Sequence, residues 1–253
     1  MSSILAATLG NTTAAIAPVT DGIVGDALRV PISRLADLEE GFGGGRWDPV
    51  EEGIPVIVAS VNPPALEAFA RLSAEAAGVR PEAAGVDFPI PIETDVDEPE
   101  KVGVDRLLAA LAAYRQVKGA CIVVDAGTAV TIDAVSADGV FQGGAIFPGL
   151  DLMARALADG TAWLPEVSMP TEAPAVGKNT RAAIAAGVLR GAAGAVAALI
   201  EGMRKTVGPR APVLLTGGDA PRLVPYLPSD CRDVVPNLVL EGLVIAYSES
   251  RKR

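Results

Sequence analysis

The feature that most constrains this chain is a strand–glycine turn–strand pattern that occurs twice. Ala7-Thr8-Leu9-Gly10-Asn11-Thr12 lies between apolar runs at residues 4–7 and 14–19. It returns as Val124-Asp125-Ala126-Gly127-Thr128-Ala129, between runs at 120–124 and 129–135. Each copy reads as a hairpin with glycine at its tip. A tip glycine lets backbone N–H groups approach an anion closely, and the threonine that follows can donate from its hydroxyl. One such turn is an ordinary tight hairpin. Two at the same place in a repeated unit point to a duplicated α/β domain with anion-binding turns. A third glycine turn, Thr216-Gly217-Gly218-Asp219, follows the apolar strand at 212–215 and offers bare backbone to an adenine or ribose.

The rest of the pattern fits that duplication. The first half predicts a strand at 27–32, an amphipathic helix at 33–41, a loop at the three glycines 43–45 and a buried strand at 55–59. A helix at 64–78 stops at Gly78, and a connection rich in Pro, Asp and Glu runs from 81 to 99. Residues 103–114 are helical by period, with Leu107, Leu108 and Leu111 on one face. In the second half, Asp138-Gly139 marks a hairpin. Helices are expected at 150–158 and 221–226, with an Ala- and Gly-rich helix or helix pair at 181–205 and a closing helix at 238–248. The expected division is an N-terminal domain 1–116 and a C-terminal domain 117–253.

Composition narrows the chemistry. The 253 residues contain no histidine, which removes Ser-His-Asp hydrolysis, histidine general bases and the commonest zinc sites. A proton acceptor should therefore be a carboxylate. The formal net charge of −10 argues against a nucleic-acid partner. It also gives no help in attracting an anionic ligand, so a phosphate site must rely on backbone N–H groups, a bound cation and a few placed side chains. No uninterrupted apolar run reaches the roughly 18 residues of a membrane span. The first sixteen residues lack a basic segment and are broken by Ser2, Ser3, Thr8 and Asn11, so they read as strand and turn. The expectation is a cytoplasmic protein with no membrane partner, its Cys121 and Cys231 buried as thiols.

A series of motifs makes the reading specific. Gly103-Val104-Asp105-Arg106 resembles the GxDR motif of the type III pantothenate kinases. Val123-Val124-Asp125-Ala126-Gly127-Thr128-Ala129, followed by Thr131 and Asp133, resembles their second phosphate motif. Gln142-Gly143-Gly144-Ala145-Ile146 with Pro148-Gly149, Thr161-Ala162 with Leu164-Pro165, Gly177-Lys178-Asn179-Thr180, Thr216-Gly217-Gly218-Asp219 and 236–243 are similar to the family in order and spacing. Leu9-Gly10-Asn11-Thr12 and Ser60-Val61-Asn62-Pro63 extend the likeness toward the N-terminus.

The resemblance implies duplicated ribonuclease-H-like domains of the kind shared by acetate kinase, sugar kinases, heat-shock ATPases and actin, with an interdomain nucleotide cleft. It implies phosphorylation of pantothenate by ATP and magnesium with a monovalent cation, potassium or ammonium, in a homodimer. Asp105 is then the general base, and Gly103, Val104, Arg106 and Thr180 are substrate contacts. Thr8, Gly10, Asn11, Thr12 and Thr13 form the first ATP turn. Gly127 and Thr128 form the second, Gly217 and Gly218 the third, and Asp125 is the monovalent-cation ligand. The residues agree in kind. Asp105 sits just inside a predicted helix N-terminus, where the dipole favours an ionised carboxylate, and Arg106 can grip a carboxylate such as that of pantothenate. Taken alone, Asp105-Arg106 also reads as a helix cap and surface ion pair.

Two positions depart from the family pattern. Thr8 stands where the first turn has Asp, and a neutral hydroxyl does not replace a charge near a divalent ion. Val96 stands where the family often has Tyr. Two alternatives follow: a catalytically weak member with a binding or regulatory role, like the Bvg accessory factor relatives, or a kinase for another small acid.

Overall fold

The computed structural model describes residues 3–38 and 54–252. The loop expected at 43–45 and the end of the helix expected at 33–41 lie outside the described residues. In chain order the strands and α-helices are β1 (Ser3–Leu9), β2 (Thr13–Thr20), β3 (Ile23–Val24), β4 (Leu28–Pro31), β5 (Val56–Ser60), α1 (Pro63–Ala77), β6 (Glu82–Ala83), β7 (Glu93–Thr94) and α2 (Val104–Val117). There follow β8 (Cys121–Ala126), β9 (Ala129–Val135), β10 (Val140–Pro148), α3 (Leu150–Gly160), α4 (Thr180–Val207), β11 (Val213–Thr216), α5 (Ala220–Leu223), β12 (Asp233–Val234) and α6 (Leu238–Ser250). A 3₁₀ helix, Ile32–Leu38, occupies the described part of the amphipathic stretch. The connection at 81–99 contains two short strands, β6 and β7, because its backbone finds ladder partners at sheet edges.

The chain divides into two compact units. One comprises Met1–Ile92, Glu98–Ala112 and Asn237–Arg253, the other Glu93–Asp97 and Ala113–Pro236. This differs from a single cut at 116. The closing helix α6 belongs with the first unit and β7 with the second.

In the first unit the sheet order is β3-β2-β1-β5-β6, with β4 also on β2; β1 is antiparallel to β2 and parallel to β5. Alternate residues point to opposite faces, so one short apolar sequence serves two cores. Ala6, Ala17, Val19, Ile57 and Ala59 pack with Leu108 and Leu111 of α2 and Leu240, Leu243 and Val244 of α6. Leu5, Ala7, Leu9, Ile16 and Val58 pack with Ala65, Phe69 and Leu72 of α1. The helix α1 is capped by the Asn62 side chain, has proline at its start and ends at Gly78 in the left-handed conformation.

The second unit repeats the plan in the order β12-β11-β8-β9-β10-β7, with β8 antiparallel to β9 and parallel to β11. Ile122, Val124, Ala126, Val130 and Ile132 face α4. By length and composition α4 is apolar enough to cross a membrane. Eight of its residues, from Ile184 to Ile200, are buried, and they belong to this unit's core, so it serves as the unit's core helix.

The place of α6 is fixed by a missing side chain. A Cβ on Gly242 would lie 2.0 Å from the Leu108 carbonyl oxygen, so the two helix backbones touch there. Backbone cannot swing aside as a side chain does. Gly242→Ala should therefore destabilise the protein by about 3 kcal/mol in urea unfolding at unchanged slope. Gly194→Ala, on the exposed face of α4 with open space around the added carbon, should be neutral or gain up to about 1 kcal/mol.

Candidate functional site

In the first unit, β1 ends in a four-residue tip. Leu9 pairs with Ala14, leaving residues 10–13 outside the register, closed by Gly10 N–H donating to the Thr13 carbonyl at 3.0 Å. The Thr12 carbonyl accepts from Ile32 N–H at 2.8 Å. The loop leaving the parallel neighbour β5 then latches onto the tip: Val61 N–H donates to the Leu9 carbonyl at 3.1 Å, and Asn62 Nδ2 donates to the Gly10 carbonyl at 3.3 Å. Thr8 lies in this corner with Ala15 and Ala59 as its ladder neighbours, so its row carries no carboxylate.

The same loop reaches the start of α2. A Cβ on Gly103 would be 3.7 Å from Val61 Cγ1 and 2.5 Å from Asp105 Oδ1. Gly103 thus makes room for the Asp105 carboxylate, which folds back over it and accepts from Arg106 N–H at 2.8 Å. The first-turn residues and the Gly103-Val104-Asp105-Arg106 segment therefore flank one loop, 60–62. Asp105 is half-buried, and burial raises its pKa above the ordinary carboxylate range. The Arg106 N–H bond and the Arg106 charge act in the opposite direction and are outweighed. The helix terminus favours the ionised form, yet the net shift is upward because desolvation is the larger effect.

In the second unit, β8 ends in a three-residue tip, since Ala126 pairs with Val130. Here the latch is Asp219 N–H donating to the Ala126 carbonyl at 2.9 Å. A Cβ on Gly217, whose φ is +92°, would be 2.3 Å from that carbonyl and 2.4 Å from Asp125 Oδ1. From the other side Gly149 N–H donates to the Thr128 carbonyl at 2.9 Å, and a Cβ there would be 2.0 Å from the Gly127 carbonyl. Asp125, Gly127, Thr128 and Gly217 are thus brought together by backbone contact that only glycine permits. Gly218 has open space where a side chain would be. A cavity of about 300 Å³ opens nearby, lined by Asp151 and Arg155 of α3 and by Arg222. Arg222 pairs with Asp219 at 2.7 Å and donates to the Met169 carbonyl.

Asp125 stands in register with Thr216 on one side and Thr131 on the other, three oxygen-bearing side chains in one row of the sheet. Oxygen donors of this kind suit a hard cation. Among the described residues no group of three or more His, Cys, Asp or Glu forms a metal cluster. Thr180 is the exposed first residue of α4, beside the capping Asn179.

The motif reading missed the parts that lock these turns. Asn62 was legible as a cap followed by proline, and Gly149 as a glycine before a helix. Their contacts with the turns were not, because each joins residues more than 20 apart.

The topology defines the fold: among the described residues, two sheets of the actin-like type. Solved structures agree. A protein described as a Baf family transcriptional activator from Campylobacter jejuni matches with TM-score 0.62 at 19% identity, over 98% of this chain and 100% of its own. MreB 5 of Spiroplasma citri with bound AMPPNP matches with TM-score 0.50 at 12% identity, over 100% and 98%. The type III pantothenate kinase family model matches residues 4–202. A type III pantothenate kinase of Syntrophotalea carbinolica is 36% identical over 230 residues, covering 91% of this chain and 87% of the relative. One from Rhodopirellula baltica is 48% identical over 167 residues, covering 62% and 58%. This chain belongs to the type III pantothenate kinase family.

A raised native pKa means that the fold favours the protonated Asp105. That contribution is fully present below the unfolded value of about 3.9 and is lost as pH rises through the native value. Asp105→Asn keeps an acceptor for the Arg106 N–H and cannot ionise. Its Tm should exceed the parent's at neutral pH, and the difference should vanish in thermal scans below about pH 4.

Proposed function

We propose that this chain transfers the γ-phosphoryl group of ATP to the primary hydroxyl of pantothenate, giving 4′-phosphopantothenate for coenzyme A synthesis, with Asp105 as general base. The activity is that of the family, and the family match over residues 4–202 is the observation that carries it. The hydroxyl proton passes to Asp105 as the oxygen–phosphorus bond forms and the bond to the β–γ bridging oxygen breaks, releasing ADP. Such transfer asks the protein mainly for positioning and charge stabilisation.

The roles of the remaining residues follow the same reading. Gly10, Asn11, Thr12 and Thr13, with Thr8 beneath them, form the first phosphate turn; Gly127 and Thr128 form the second. Gly217 and Gly218 take the nucleoside against bare backbone, which the open space at Gly218 supports. Arg106 grips the pantothenate carboxylate, Gly103 and Val104 line its path, and Thr180 supplies a further contact. Asp125, with its threonine neighbours, suits potassium or ammonium. Magnesium, which neutralises phosphate charge when bound, commonly needs one or two protein carboxylates beside phosphates and water, and Asp125 or water replaces the missing Asp at position 8. A cytoplasmic homodimer belongs to the same proposal.

The test is an assay of the purified chain with pantothenate, ATP, magnesium and potassium; absence of product above a no-enzyme control rejects the proposal. Asp105→Asn should lower kcat by about 10²–10⁴. Because Asp105 must be ionised to accept a proton, kcat should fall with acid through a limb lying above the ordinary value of about 3.9, and that limb should be absent in the variant's residual rate.

Thr8 favours a second reading, a weak member with a binding role. Thr8→Asp separates the two. A change in kcat of less than about tenfold is expected of a working enzyme, whereas a gain of about a hundredfold or more from a near-zero baseline supports the binding role.

A further inference from the structure

The side chain of Asn62 makes two bonds that belong to different parts of the first unit. Its Oδ1 accepts from Ala65 N–H at 3.1 Å, capping α1. Its Nδ2 donates to the Gly10 carbonyl at 3.3 Å, on the first turn. The two bonds fix the orientation of the amide, since a flipped group would set N–H against N–H and oxygen against oxygen. Asn62 is itself braced: its backbone N–H donates to Ser60 Oγ at 3.0 Å, and that hydroxyl donates to the Asn62 carbonyl at 3.0 Å.

The position matters because the first tip is one residue longer than the second. Residues 10–13 lie outside the β1–β2 register, against 127–129 at the second tip. The second tip is clamped by backbone, through Gly149 N–H on the Thr128 carbonyl and the close approach of Gly217. At the first tip, Ile32 N–H holds the Thr12 carbonyl on one side. The restraint on the Gly10 carbonyl comes from a side chain, Asn62. With that carbonyl held, the Gly10–Asn11 peptide plane, and with it the direction of Asn11 N–H, is fixed relative to the start of α1.

We propose that Asn62 is a positioning residue for ATP: it fixes the first phosphate turn against the N-terminus of α1. The inference rests on the reading of residues 10–13 as a nucleotide turn. It predicts that the donor function of Asn62 can be removed without loss of the cap. Serine caps helices about as well as asparagine, carries no charge and is too short to reach Gly10.

The experiment compares the full-length parent, Asn62→Ser and Asn62→Ala. It uses equilibrium binding of a non-hydrolysable ATP analogue with magnesium, binding of pantothenate, Tm, and amide hydrogen exchange. For Asn62→Ser, analogue affinity should fall about tenfold, the scale of one lost hydrogen bond. Exchange at residues 10–13 should quicken, while pantothenate affinity, Tm and protection of α1 stay at parental values. Asn62→Ala should show the same loss of affinity together with a lower Tm.

Unchanged analogue affinity and unchanged exchange in Asn62→Ser overturn the proposal and leave the kinase reading standing. A loss of affinity confined to Asn62→Ala assigns the effect to the cap, and this too overturns it. A parent that binds pantothenate but no analogue rejects the nucleotide reading of the turn, and the proposal with it.

Discussion

The arrangement of both halves depends on one recurring hydrogen bond. In each unit the carbonyl before the tip glycine accepts from a backbone N–H in the loop that leaves the parallel neighbour strand: Val61 to Leu9, and Asp219 to Ala126. The bond requires that neighbour to run parallel and to end at the same level as the hairpin. A hairpin alone presents a mobile tip. A hairpin latched to the start of the next helix presents a fixed set of N–H groups, which is what an anion site in a chain of net charge −10 must have. The glycine at 217 is a consequence of the latch, and that at 149 of a second backbone contact on the other side of the tip, because backbone approaching to these distances excludes any Cβ.

A second constraint sets burial against ionisation at Asp105. The helix terminus and Arg106 favour the charged form, yet desolvation prevails and the pKa rises. For a structural cap this would be a defect. For a proton acceptor the same shift strengthens the base, since a carboxylate with a higher pKa takes a proton more readily once ionised. Gly103 contributes by having no side chain where the carboxylate folds back. The stability lost at neutral pH and the basicity gained have one cause.

Much of this was legible in the sequence because its determinants are local. Glycine tips, alternating apolar runs and the stop of α1 at Gly78 are read within a few residues. The three glycine turns are read from the residues themselves, and the GxDR segment from its resemblance to the family's motif. What escaped depends on contacts distant in sequence. The closing helix α6 was assigned to the second half because it follows it, whereas its Gly242 meets Leu108, 134 positions earlier. Residues 81–99 read as bare connection because β6 and β7 have no strand pattern of their own and pair only where an edge is offered. The upward shift of Asp105 is not legible for a related reason: the dipole argument is local, and desolvation is a property of the packed unit.

The duplication also explains where the two halves diverge. Thr8 and Asp125 occupy the same position of the repeated strand, each two residues before the tip glycine. The first corner has Thr8 in place of a strand carboxylate and has the longer tip, held partly by a side chain. The second carries the carboxylate, has the shorter tip and is closed by backbone on two sides. Within the proposed function this is a division of labour. A corner that cradles anionic phosphate through N–H groups gains from having no fixed negative charge, because in a poorly solvated site a carboxylate repels phosphate unless a cation lies between them. The corner that keeps the carboxylate is the one with threonines in register on both sides, so a cation bound there finds oxygen donors already in a row. Neutrality at residue 8 weakens the hold on a divalent ion and removes a repulsion, and the balance turns on whether phosphate arrives with its metal.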